Sequence, residues 1–170
     1  TSPIIYASSS YFGRSSGSFG SANVFIGDLA GGSAFVTQSN FLGPQAGYNA
    51  ANASQSNFFG YNAGATAVNA SYSNFFGLSA GASAENASFS NFLGFTAGSS
   101  ATNATNSNFF GQSAGANATN ANNSIFIGYR AGFSDSVNNS SAGTSILIGD
   151  STSTGGFSNS IAIGKSATNT

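Results

Sequence analysis

SNFLGPQAGYNAANASQ (39–55), SNFFGYNAGATAVNASY (56–72), SNFFGLSAGASAENASF (73–89), SNFLGFTAGSSATNATN (90–106) and SNFFGQSAGANATNANN (107–123) follow one another without interruption. They are five copies of one 17-residue unit, and a strict period of this length marks a repeat architecture. The unit pairs two glycines with two adjacent bulky residues, and Asn, Ser, Thr and Ala fill the rest. A helix would need an apolar period of 3.6 residues and few glycines. Short strands separated by turns fit better. The predicted fold class is all-β: a parallel β-solenoid of about ten coils, with two or three strands per coil. Strands in such a stack lie about 4.8 Å apart, so equivalent residues of successive coils form ladders.

Side chains alternate across a strand. The fourth position is always bulky (Leu42, Phe59, Phe76, Leu93, Phe110), and the reading places it inside the coil. The second position would then also point inward. There Asn40, Asn57, Asn74, Asn91 and Asn108 would form a core ladder of mutually bonded amides, which offsets the cost of burying them. The third position would face outward as a row of rings: Phe41, Phe58, Phe75, Phe92, Phe109 and, in the next copy, Phe126. Gly43, Gly60, Gly77, Gly94 and Gly111 are expected at a corner with positive φ.

The flanks are looser copies. Residues 1–8 (TSPIIYAS) lie outside the repeat as an extension or partial cap, 9–38 hold degenerate repeats, 39–123 the regular ones and 124–170 degenerate C-terminal ones. Val24, Ile125, Ile146 and Ile161 replace Asn at the second position. Tyr11, Phe25, Phe126, Leu147 and Ala162 keep the third position apolar.

An outward row of rings at every coil would expose more apolar surface than a monomer tolerates. The stripe must therefore be covered, either by another segment of the same coil or by the same stripe on partner chains; self-association is the expectation carried forward, and a threefold bundle would close it symmetrically. SIAIGKSATNT (160–170), SILIGD (145–150) and SIFIGYRAG (124–132) resemble the head repeats of YadA-like trimeric autotransporter adhesins. The SNFFGxxAG copies more closely resemble the xNxFxGxxAG arrays of phage tail fibres and related bacterial surface proteins, which a self-cleaving chaperone domain often follows. The resemblance covers residues 9–170. It implies a rigid extracellular fibre or adhesin segment, a homotrimer with no cofactor, or alternatively a tail-fibre shaft.

Composition narrows the classes further. Of 170 residues only 4% are charged, the net charge is −1, and Cys, His, Met and Trp are absent. Phosphate-driven nucleic-acid binding needs Lys and Arg clusters, and no apolar run is long enough to insert in a membrane. Thiol and imidazole catalysis and the usual zinc sites are excluded. The carboxylates are Asp28, Glu85, Asp135 and Asp150. Asp28 and Asp150 would lie about 34 Å apart at about 4.8 Å per coil, whereas a glycosidase pair needs about 5–10 Å. The chain is therefore not expected to be an enzyme.

Asn52, Asn69, Asn86 and Asn103 each begin Asn-Ala-Ser/Thr, the glycosylation acceptor pattern. Chance and structural use of the same residues are the competing explanation. Aromatics recur at the sixth, tenth and seventeenth positions (Tyr61, Phe95, Tyr129; Tyr48, Phe133; Tyr72, Phe89) and suit either a cell-surface or glycan receptor or packing between chains. A rival function is an ice-binding solenoid, although Thr is scattered rather than arrayed. The chain opens on Thr1, as a processed product or a fragment would. SIAIGKSATNT stops partway round a coil, so the stack is expected to continue beyond Thr170 in further chain or in an end-to-end filament.

Overall fold

The computed structural model describes residues 9–14, 16, 20–137 and 143–170. The chain is a parallel β-solenoid with a repeat of about 17 residues and about eight complete turns. Its ten strands are β1 (Ser9–Phe12), β2 (Asn23–Ile26), β3 (Asn40–Leu42), β4 (Asn57–Phe59), β5 (Asn74–Phe76), β6 (Asn91–Leu93), β7 (Asn108–Phe110), β8 (Ile125–Ile127), β9 (Ile146–Ile148) and β10 (Ile161–Ile163). They pair in sequence order, all parallel, in one sheet. The register is that of the repeat: Asn57 opposite Asn74, Phe58 opposite Phe75, Phe59 opposite Phe76. The expected N-terminal cap, residues 1–8, lies outside the described residues.

Among the described residues each coil has one such strand and, from the coil of β2 onward, a single bridging residue across the coil rather than a second or third strand. The bridges run Phe35–Ala51–Val68–Glu85–Thr102–Thr119–Ser136. Between strand and bridge the chain folds through overlapping turns. In one coil Ala46 N–H donates to Gly43 C=O, Tyr48 to Gln45 and Ala50 to Gly47. The third residue of each turn has positive φ: Gln45, Gly47 and Asn49 at 60°, 63° and 54°. This is the signature of type II turns, and Pro44 takes the second place of the first, where its fixed φ fits.

The core is narrow. Phe41, Phe58, Phe75, Phe92, Phe109 and Phe126 are 0% exposed. Their rings stack at 4.7 Å between centroids, with interplanar angles of 3–8°. In each regular coil the ring is surrounded by three alanines, such as Ala63, Ala67 and Ala70 in one coil, and one serine, Ser56. The serine bonds to its neighbours on both sides: Ser56 Oγ donates to Ala70 C=O at 2.8 Å and accepts from Ser73 N–H at 3.1 Å.

The facing expected from the sequence is thus inverted. Alternation holds, but its phase is shifted by one residue, so the first and third positions point in and the second and fourth point out. Two glycines explain why. A Cβ on Gly64 would land among the ring carbons of Phe58, and the same holds for Gly47 under Phe41 and Gly81 under Phe75. The ninth-position glycine is the floor on which the third-position ring lies. The fifth-position glycine serves stacking instead: a Cβ on Gly43 would meet Gly60 C=O of the next coil at 2.6 Å. Its φ of 127° is the expected positive corner value.

The irregular coils follow the same rule. After Gly132 the ninth-position glycine disappears, because Thr152 aligns with the eighth position and Ser153 already bridges Thr168. With the coil shortened, the inward residue shrinks to Leu147 and then to Ala162. Asp135 replaces the inward alanine of its coil, and its buried carboxylate accepts from Thr154 N–H and Thr154 Oγ1. Among the described residues no buried side-chain nitrogen or oxygen lacks a partner.

Candidate functional site

With the core assigned, the outer columns are what the protein presents to its surroundings. The strand face carries two of them. The second-position asparagines are half-buried on this outer face, not in the core. They do form the expected ladder: Asn40 Nδ2 donates to Asn57 Oδ1, and so on through Asn108, each at 2.8 Å. Partial exposure makes the ladder cheap, because water can take the remaining lone pairs.

Beside the ladder runs the fourth position: Phe12, Ile26, Leu42, Phe59, Phe76, Leu93, Phe110, Ile127, Ile148 and Ile163. Seven of these are between 36% and 66% exposed. Phe59 and Phe76 stack at 4.8 Å. No charged residue occurs in either column. The oligomer stripe expected at Phe41, Phe58, Phe75, Phe92, Phe109 and Phe126 is therefore not available to a partner. Those rings are sealed within their own chain, and the apolar column that remains open is the fourth.

A second asparagine ladder occupies the fourteenth position. Asn52 Nδ2 donates to Asn69 Oδ1, Asn69 to Asn86, Asn86 to Asn103 and Asn103 to Asn120, at 2.9–3.0 Å. These are the glycosylation-type asparagines. Each has a φ of 51–53°, a left-handed conformation that Asn tolerates better than other non-glycine residues. The hydroxyl two residues on is also used: Ser71, Ser88 and Thr105 donate at 2.8 Å to the carbonyls of Asn52, Asn69 and Asn86 in the preceding coil. The Asn-Ala-Ser/Thr triplet therefore has a complete structural use.

The sixth position lies just past the glycine corner. Its exposed members include Tyr61, Leu78, Phe95 and Tyr129. The column carries charge only toward its ends. Arg14 donates from Nε and Nη2 to Asp28 Oδ2 at 3.2 and 2.8 Å, and its N–H reaches Oδ1 at 3.0 Å. Lys165 Nζ lies 3.9 Å from Asp150. The Arg14 guanidinium holds the Asp28 carboxyl below its ordinary value of 3.8, chiefly through the side-chain hydrogen bond. Both ion pairs join adjacent coils, and Asp135 is spent on Thr154, so three of the four carboxylates have structural partners. Elsewhere Tyr72 and Phe89 stack at 4.8 Å, and the Arg130 guanidinium sits 4.4 Å above the Phe133 ring.

Among the described residues no group of three or more His, Cys, Asp or Glu is placed to hold a metal ion, and no helix is long and apolar enough to cross a membrane. No protein-family model matches the chain, and a search of curated proteins returns no match.

Proposed function

We propose that this chain is a structural segment of an extracellular fibre or adhesin, a rigid rod that self-associates through its strand face. The observation that carries this reading is the open fourth-position column. It runs the length of the ten-stranded sheet, is apolar throughout and has no charge beside it. The column mixes Phe with Leu and Ile, and at roughly 150–200 Å² per such side chain the exposed fractions sum to the order of 500–800 Å². That stands at or above the roughly 300–600 Å² of the largest apolar patch on a typical monomer and approaches the ~800 Å² per partner of a standard interface.

An apolar column that recurs once per coil is best covered by its own copy, because both repeat with the same rise. A threefold arrangement, with three columns meeting on one axis, buries each of them equally. The extracellular setting and the choice between adhesin and tail-fibre shaft rest on the resemblance of the repeat. An ice-binding face would need a flat, regular array. The bridge column instead mixes Phe35, Ala51, Val68, Glu85 and Thr102.

Sedimentation equilibrium tests the reading. The native chain should run as an oligomer, and a Phe59→Ser, Phe76→Ser, Phe110→Ser variant as a folded monomer, since these side chains lie outside the core. A native chain that is monomeric at tens of micromolar overturns the proposal.

A further inference from the structure

We propose that Tyr61, Phe95 and Tyr129 form a binding platform for a neutral, extended β-1,4-linked pyranose chain lying along the solenoid axis. All three occupy the sixth position, in coils two apart, and the residues between them are the non-aromatic Leu78 and Gln112. Their exposures are 48%, 51% and 48%, as expected of rings set in the same way on equivalent backbone. The coil rise, read from the core rings, is 4.7 Å, so successive platform rings recur at about 9.4 Å.

That spacing suits one polymer geometry. A β-1,4-linked chain of gluco-configured sugars is nearly flat and turns by half a revolution at each linkage. Every second ring therefore presents the same C–H face in the same orientation, and two rings in a row are about as long as two coils. An apolar sugar face over an aromatic ring removes both from water and meets the ring's negative face with C–H hydrogens. An α-linked chain curls away after one contact. The platform is also uncharged. Between Pro44 and Tyr129 the sixth position has no ionisable carboxylate or cation, and the charged members Arg14, Asp28, Asp150 and Lys165 stand in coils beyond the aromatics. Gln112, exposed between Phe95 and Tyr129, offers an amide to the hydroxyls of an intervening sugar.

The reading goes beyond self-association but shares its molecule, so the test uses both the native chain and the Phe59→Ser, Phe76→Ser, Phe110→Ser variant. Calorimetric titration with cello- and chito-oligosaccharides of two to six units should show affinity rising with length and levelling at five, the number that spans Tyr61 to Tyr129. The two series separate a glucan from an N-acetylglucosamine polymer, and either one binding supports the shared chemistry. Phe95→Ala, which removes the middle ring, should weaken the pentasaccharide about tenfold. Tyr72→Ala, which removes an exposed ring from the seventeenth-position column, should leave it unchanged. Binding of maltopentaose as strong as that of both β-linked pentasaccharides overturns the proposal, as does failure of both β-linked series, or unaltered binding after Phe95→Ala. Binding retained in the monomeric variant separates this proposal from the self-association reading.

Discussion

Gly64 lies directly beneath the buried ring of Phe58, and the two residues define the inside of the coil between them. Gly64 has a φ of 62°, so it serves both conformation and space. Gly64→Ala should cost about 1–2 kcal/mol for the left-handed backbone and about 1–3 kcal/mol more for the forced shift of the ring. Only the second part depends on Phe58. In a cycle with Phe58→Leu, the double variant should therefore lose about 1–2 kcal/mol less than the sum of the singles. Leu147, in a coil without this glycine, is the natural precedent. Strict additivity in urea titrations would show that ring and glycine do not meet.

Phe75 and Phe76 are neighbours with opposite fates. Phe75 is sealed between Phe58 and Phe92, whereas Phe76 lies half-buried on the outer face. Phe75→Ala should cost about 3–5 kcal/mol through the cavity it leaves. Phe76→Ala should cost about 1 kcal/mol in a monomeric background, in proportion to its partial burial. Chemical denaturation of the two variants decides the facing of the whole sheet.

Much of this architecture was legible in the sequence. The five equal copies predict the solenoid, and Gly43 and its equivalents predict the corner. The phase of the strand is harder to read, because Leu42, Phe59 and Phe76 look like core residues for their bulk. Bulk was the wrong guide in so narrow a coil. With one ring, three alanines and a serine filling the interior, a second large side chain per coil has nowhere to go. A better signal was present: every third-position Phe from Phe25 to Phe126 is followed by a ninth-position glycine, and where that glycine is lost the residue becomes Leu147 or Ala162. The open fourth-position column follows once the phase is corrected. The many left-handed residues, among them Gln45, Asn49 and Tyr72, carry no comparable mark, because side chains of several kinds occupy those positions.

Asp28 and Arg14 give the N-terminal coils a pH dependence. Hydrogen bonding to Arg14 lowers the Asp28 carboxyl below 3.8 in the folded chain. A depressed folded value means that the stabilising contribution is present above the unfolded pKa and fades as pH falls through the folded one. Both groups are solvent-exposed, so the effect should be small and weakened by salt. In a carboxyl-detected titration Asp28 should have its midpoint below 3.8, and Arg14→Ala should raise it. An unchanged midpoint in that variant would mean that the pair does not form in solution.

The two asparagine ladders should respond in opposite ways to the same pair of substitutions. Asn74 lies in β5, accepts from Asn57 and donates to Asn91, both at 2.8 Å. Asn86 accepts from Asn69 at 2.9 Å and donates to Asn103 at 3.0 Å, but its φ is 51°. Either substitution, to Ala or to Gly, removes the side-chain rungs at both sites, a loss of about 1 kcal/mol per net hydrogen bond. What differs is the backbone. At Asn74 the chain is extended, so Gly should be worse than Ala by about 0.5–1 kcal/mol through its greater unfolded freedom. At Asn86 Ala must hold a left-handed conformation that Gly adopts freely, so Ala should be worse by about 1–2 kcal/mol. Thermal or urea unfolding of the four single variants should therefore rank Asn74→Ala above Asn74→Gly, and Asn86→Gly above Asn86→Ala. If both sites rank the substitutions in the same order, the fourteenth-position asparagines are not left-handed in solution, and the ladder through Asn52, Asn69, Asn86 and Asn103 must be built on a different backbone.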